Sequence, residues 1–264
     1  MNKSNTVLRL DRLLSNLGYG TRKEIHAFVK AGHITLDGMT VADASRKLAL
    51  TANLPERLYV AGEKLDPLPG LTLAMNKPLG LTCSHKEAGA LVYDLLPPRW
   101  RLRKPAISTV GRLDKETSGL LLLTDDGALL HRIISPKSKV PKRYRATLSH
   151  PLRGNEVELF ASGTLLLEGE NKPLLPALLE VPECGPEGLS EHRPPKLSSP
   201  VAILTIAEGR YHQVRRMFAA VGNRVTALHR MSIGGLSLPC DLSEGAYRSL
   251  ASAEIACIFA QART

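Results

Sequence analysis

The sequence predicts an α+β protein in two parts, a small helix–turn–helix–hairpin module followed by a larger domain of short strands and helices. Three observations predict this. Leucines at helical spacing stop at Gly18, and a second helical pattern then leads into Asp37-Gly38, a two-residue hairpin signal. Pro67, Pro69 and Gly70 mark a boundary. Beyond it, strand and helix patterns alternate too irregularly for repeated βαβ units.

In the first part, Leu10, Leu13, Leu14 and Leu17 form one apolar helix face. Thr21 reads as an N-cap, with Glu24 three residues later as its capping-box partner. The helix it opens turns Ile25, Phe28 and Val29 inward and ends at Gly32. His33–Leu36 and Met39–Val41 form the hairpin arms, and Arg57–Val60 reads as a further strand. In the second part, strands are expected at Leu71–Met75, Leu120–Thr124, Arg143–Leu148, Leu175–Val181, Val201–Ala207 and Val225–Met231. Helices are expected at Ala90–Leu96, Ala128–Ile134, Asn155–Ala161, His212–Val221 and Ser252–Phe259. Pro182–Pro200, rich in Pro, Gly and Glu, reads as an exposed loop. The domains divide as residues 1–66 and 71–264.

The 264 residues carry a net charge of +10, and 43% of them are hydrophobic, enough for a sizeable core. A pI near 9.6 favours a polyanionic partner such as nucleic acid. The charge is segregated. Residues 97–145 hold 12 Lys/Arg against 4 Asp/Glu, and residues 146–200 hold 4 against 8. One face is therefore expected to meet phosphates. Arg9, Arg12, Arg22, Lys23 and Lys30 crowd the first two helices and suit phosphate contacts, which position a strand without reading it. Aromatic residues make up only 4%, which argues against a stacking-platform binder. The four cysteines, Cys83, Cys184, Cys240 and Cys257, form no CxxC motif and read as free thiols in a reducing compartment. His212 has no ligand neighbour at i+4, so no metal site is read. The N-terminal segment lacks a signal-peptide core and no run reaches membrane-span length, which points to a cytoplasmic protein.

The most informative stretch is Gly111-Arg112-Leu113-Asp114-Lys115-Glu116-Thr117-Ser118-Gly119, followed by Leu120–Leu123 and Thr124-Asp125-Asp126-Gly127. It sets one carboxylate, Asp114, in a glycine-flanked turn directly before a leucine run that must be buried. A buried run holds the turn rigidly. An acid offered to a polyanion adds little to binding, so Asp114 points to chemistry.

This stretch resembles the catalytic signature of pseudouridine synthases of the RsuA type. Lys77-Pro78-Leu79-Gly80 resembles the family's entry strand, and Glu208-Gly209-Arg210-Tyr211-His212-Gln213-Val214-Arg215-Arg216-Met217-Phe218 with Val221-Gly222-Asn223 resembles its C-terminal motif. Arg9-Leu10-Asp11, Gly18, Arg22, Gly32 and Asp37-Gly38 resemble the small RNA-binding module named after a small-subunit ribosomal protein, over about residues 7–65. Thr21 stands where that module usually has Ser.

The resemblance implies a large, mostly antiparallel mixed sheet flanked by helices. It also implies a cofactor-free isomerisation of uridine in RNA, in which the bond from ribose C1′ to N1 breaks and C5 is rejoined to C1′. Asp114 is the implied essential carboxylate, either trapping the sugar covalently or deprotonating C2′. Tyr144 is the implied aromatic that stacks on the extruded base. Arg215 is the implied cation paired with Asp114, while Arg112, Arg210 and Arg216 are expected to meet phosphates. The implied partner is ribosomal RNA, free or in a partly assembled subunit, acted on by a monomer. Gly169-Glu170-Asn171-Lys172-Pro173, Pro176-Ala177, Gly222-Asn223 and Leu228-His229-Arg230 resemble most closely the members acting on small-subunit 16S rRNA. The alternatives are a large-subunit 23S substrate and a non-catalytic rRNA-binding assembly factor.

Overall fold

The computed structural model describes residues 6–84, 87–182 and 200–260. The expected loop at Pro182–Pro200 lies almost wholly outside the described residues. The chain divides into two units. One comprises Met1–Thr72, Tyr93–Thr109 and Leu123–Leu129, and the other Leu73–Val92, Val110–Leu122 and Leu130–Thr264. The sequence boundary at residue 66 is therefore near the first crossing of the chain, and the first unit takes in two later segments as well.

In the first unit, β1 (Val7–Arg9) enters α1 (Leu10–Asn16), and α2 (Arg22–Lys30) follows. The capping box is present. Thr21 accepts from the Glu24 amide, and the Glu24 carboxylate accepts from Thr21 N at 2.6 Å. Then come β2 (Ile34–Leu36) and β3 (Met39–Thr40), joined through Asp37 and Gly38 at φ 53° and 78°. Two positive φ values are what a type I′ hairpin requires. β4 (Lys47–Ala49) pairs with β1. A helical turn that the sequence pattern did not announce, α3 (Leu54–Arg57), precedes β5 (Leu58–Val60) and β6 (Glu63–Lys64). Leu10, Leu13, Leu14, Leu17, Ile25 and Ile34 are fully buried in the core.

Two polar devices hold this unit. The Asp11 carboxylate is completely buried. It accepts from Arg9 Nη2 at 2.9 Å and Arg22 Nη2 at 2.8 Å, and lies 3.2 Å from His26 Nε2. Burial pushes its pKa up, but the hydrogen bonds from Arg22, Arg9 and His26 outweigh burial and leave it far below the ordinary carboxylate range. Elsewhere Arg103 and Asp125 form a buried ion pair at 2.9 Å. Arg103 also donates to Pro67 O, and Asp125 accepts from Gly70 N. The Pro/Gly boundary of the sequence is thus a clamped segment. Nearby, Arg99 binds Asp66 at 2.8 Å and lies over the Tyr19 ring at 4.2 Å, and Lys104 N donates to Asn16 O.

The later strands are β7 (Thr72–Lys77), β8 (Ser108–Thr109), β9 (Thr117–Thr124), β10 (Lys142–Leu148), β11 (Leu178–Glu180), β12 (Val201–Ile206), β13 (Val225–Ile233), β14 (Leu236–Ser237) and β15 (Tyr247–Ser249). They share a sheet of order β11-β12-β10-β13-β9-β7-β15, with β14 on β13 and β8 on β9. The pairings of β10 with β12 and β13, of β11 with β12 and of β15 with β7 are antiparallel, and β13 runs parallel to β9. The expected mixed sheet is present. Leu120, Leu121, Leu122 and Leu123 are all fully buried. The helices are α4 (Gly127–Ile134), α5 (Glu156–Ser162), α6 (Gln213–Ala220) and α7 (Ser252–Cys257). The helix expected at Ala90–Leu96 is a single 3-10 turn, Val92–Leu95, because Pro97 and Pro98 stop it. The strand expected at Leu175–Val181 shortens to β11, since Pro173 and Pro176 lack the amides that a ladder needs.

Two stability predictions follow from the polar devices. Asp11→Asn is expected to cost about 2 kcal/mol at pH 7. A depressed carboxylate stabilises fully above its unfolded value near ~4 and loses that contribution as pH falls. The gap between wild type and variant in urea melts should therefore close below about pH 4. A gap independent of pH would contradict the ion cluster. Arg103→Ala leaves Asp125 charged and buried and should cost about 3–5 kcal/mol, with Arg103→Ala/Asp125→Ala less destabilised than the single variant.

Candidate active site

Sheet register builds the site. β13 places Arg230 beside Gly119 of β9 on one side and opposite Tyr144 of β10 on the other. Gly119 has φ +100°, and a Cβ there would lie 2.8 Å from Arg230 N and closer still to its carbonyl oxygen. Only glycine lets the two backbones approach this closely. The Arg230 side chain is buried, its Nε donating to Leu120 O at 2.7 Å and its Nη1 lying 3.4 Å from the Tyr144 hydroxyl. Its Nη2 is buried without a partner among the described residues.

Asp114 sits in the turn that leads into β9, with Thr117 N donating to its carbonyl. Lys77, the last residue of β7, is completely buried beneath this turn. Its ammonium donates to Thr117 O and Pro78 O, both at 2.9 Å. Burial pulls its pKa below the ordinary lysine value. The lysine of the entry strand is thus a staple for the turn that carries Asp114. Cys83 accepts weakly from Leu113 N on the same turn, and burial pushes its thiol pKa up.

A cavity of about 730 Å³ opens here, lined by Asp114, Tyr144, Arg215, Arg230, Tyr211 and His212. That volume suits a nucleotide-sized group. The three expected active-site residues all line it. The expected pairing of Arg215 with Asp114 is absent, however. Arg215 lies on α6 and donates to Val225 O at 3.2 Å and Glu116 O at 2.7 Å. It braces the turn from its carbonyl side. The ionisable neighbour of the Asp114 carboxylate is His212, whose Nε2 lies 3.5 Å from Oδ1.

Arg210 and Arg216 are both tied to other parts of the chain. Arg210 binds Glu170 at 3.1 Å and Glu208 at 3.3 Å, and Arg216 binds Glu170 at 2.9 Å. Both also donate to carbonyls of the 168–173 segment. Carboxylates and carbonyls of the chain itself thus hold these guanidinium groups. Arg112 is exposed beside Asp114. In the first unit Arg12, Arg22, Lys23 and Lys30 are exposed and Arg9 is partly exposed, Arg9 and Arg22 being tied to Asp11.

Sequence reasoning met His212 and Arg230 inside quoted motifs but gave neither a place in the site. His212 follows Tyr211 in a motif already singled out, but its left-handed backbone, φ 49° and ψ 30°, carries no sequence signal. The place of Arg230 beside Tyr144 becomes visible only when β13 is placed in register with β10.

Gly119→Ala is expected to cost about 3 kcal/mol or more, combining the collision with Arg230 and a φ that L-residues resist. Gly245→Ala meets no atom within 4 Å at a similar φ and should cost about 1 kcal/mol. Equal losses in denaturant melts would contradict the close approach.

Residues 72–220 match the family model described as RNA pseudouridylate synthase, and residues 8–51 match the S4 domain. An uncharacterized RNA pseudouridine synthase of Bacillus subtilis (strain 168) is 37% identical over 94% of this chain and 97% of its own length. Ribosomal small subunit pseudouridine synthase A of Escherichia coli (strain K12) is 38% identical over 95% of this chain and all of its own. A crystal structure of a pseudouridylate synthase superposes with a TM-score of 0.61 at 36% identity, covering 95% of this chain and 99% of that one. With the catalytic signature, the sheet and the N-terminal module all accounted for, the chain belongs to the RNA pseudouridylate synthase family and carries an S4 domain at its N-terminal end.

Proposed function

We propose that this pseudouridine synthase isomerises a uridine of small-subunit 16S ribosomal RNA, with Asp114 as the essential carboxylate and no cofactor. The observation that carries the reading is the Asp114 carboxylate, held on a stapled turn at the wall of a nucleotide-sized cavity that Tyr144 and Arg230 also line. Relatives named for the ribosomal small subunit, matched over nearly the whole chain, support that subunit as the source of substrate.

The target base must leave its stack to reach Asp114. Glycosidic cleavage sends the electron pair to N1 and leaves an electron-poor C1′. In one route a carboxylate oxygen bonds to C1′ and is later displaced by C5. In the other the carboxylate removes the C2′ proton, then returns it as C5 joins C1′. Either route ends with loss of the C5 proton and gain of a proton at N1. Tyr144 offers its ring to the base, with the buried Arg230 guanidinium beside its hydroxyl. Arg215 holds the Glu116 carbonyl and thereby the turn.

The S4 domain, with Arg9, Arg12, Arg22, Lys23 and Lys30, grips the RNA backbone, and Arg112 adds a cation beside the carboxylate. The protein acts as a cytoplasmic monomer on ribosomal RNA, free or in a partly assembled subunit. No described helix is long and apolar enough to cross a membrane.

The test is pseudouridine mapping on small- and large-subunit rRNA incubated with pure protein. Wild type is expected to modify one small-subunit position, and Asp114→Asn to lose at least about 10³-fold in rate while retaining RNA affinity. Modification confined to large-subunit RNA would move the substrate, and turnover by Asp114→Asn would remove the carboxylate from the mechanism. Tight rRNA binding with no modification by wild type would favour the assembly-factor reading.

A further inference from the structure

Ten of the eleven aromatic side chains are buried or half-buried, and Tyr211 alone is exposed, at 72%. Its place is the rim of the Asp114 cavity. One face of its ring lies on the His212 imidazole, with centroids 3.8 Å apart and planes inclined by 17°. The histidine edge reaches toward Asp114, and the exposure of Tyr211 leaves its other face to solvent.

The pair is built to stay in place. His212 is held in a left-handed conformation that a non-glycine residue resists. The neighbouring groups over-determine it. Arg216 donates to Tyr211 O through Nη1 and to His212 O through its amide. The buried Gln213 side chain accepts from Arg210 N at 2.9 Å and donates to Glu208. The glutamate–arginine lattice therefore fixes a two-ring stack beside the catalytic carboxylate.

We propose that Tyr211 is a stacking platform for a base of the RNA strand next to the target uridine. Extruding a uridine leaves its neighbours with an uncovered face. An exposed aromatic surface at the mouth of the cavity covers one of them, in the sequence-tolerant way that aromatic rings take single-stranded bases. Tyr211 thereby holds the strand open and sets which side of the target lies nearest His212. This inference rests on the pseudouridine synthase reading of Asp114.

The experiment uses the full chain and a synthetic RNA stem–loop containing the uridine mapped in the wild-type reaction. Single-turnover rates and affinities are measured for wild type, Tyr211→Phe and Tyr211→Ala. Each is tested with the intact stem–loop and with stem–loops abasic at the nucleotide on either side of the target. Phenylalanine keeps the ring and should stay close to wild type. Alanine should weaken binding by about tenfold or more, and one of the two abasic substitutions should erase the difference between wild type and alanine. An alanine variant equal to wild type, or a penalty unchanged by both abasic sites, would overturn the platform while leaving the isomerase reading intact. No product from wild type on any rRNA would remove both.

Discussion

The contact on which the rest depends is the approach of β9 to β13 at Gly119. A side chain there would collide with the Arg230 backbone. With none present, the buried leucine strand and the arginine-bearing strand pair in parallel, and the antiparallel neighbour β10 then sets Tyr144 opposite Arg230. Three adjacent strands thus deliver a glycine, a guanidinium and a phenol in one row. The turn carrying Asp114 enters that row from the same leucine strand. The register is pinned at Gly119, because a slip by one residue would set a Cβ-bearing neighbour, Ser118 or Leu120, against the Arg230 backbone.

Around this row the protein places charge sparingly. Lys77 is buried without a carboxylate and is satisfied by backbone carbonyls. Arg215 is likewise spent on carbonyls, and Arg210 and Arg216 on glutamates. The chain is strongly basic, yet the cations nearest the carboxylate mostly hold backbone in shape. The turn that carries Asp114 is therefore held by the chain's own groups.

The legibility of the molecule in its sequence follows the range of the interactions involved. Local devices were plain. The capping box at Thr21 and Glu24, the Asp37-Gly38 hairpin and the leucine run behind Asp114 each rest on neighbours within a few residues. Strands of two or three residues, such as β3, β6, β8 and β14, are too short to show a period. Charge pairing leaves no trace in the sequence where the partner lies far along the chain. Arg210 meets Glu170 forty residues away, and nothing at Arg210 distinguishes that from a phosphate. Arg215 was misplaced for a related reason: a motif names a residue type, whereas the direction of a guanidinium depends on which carbonyls the fold brings to it. His212 and Arg230 needed the backbone of α6 and the register of β13.

The clamp formed by Arg103, Asp125, Pro67 and Gly70 has a consequence for synthesis. The N-terminal module has its helices and hairpin early, but the carboxylate that closes its end is more than fifty residues further along the chain. At translation speeds of about 5–20 residues per second, several seconds separate the emergence of the first part from that of Asp125. During that interval Arg103 emerges before its counter-ion, and the Pro67–Gly70 segment remains unlatched. The module reaches its finished form only after the leucine strand has left the ribosome, so its completion is timed by the arrival of the chain that carries the chemistry.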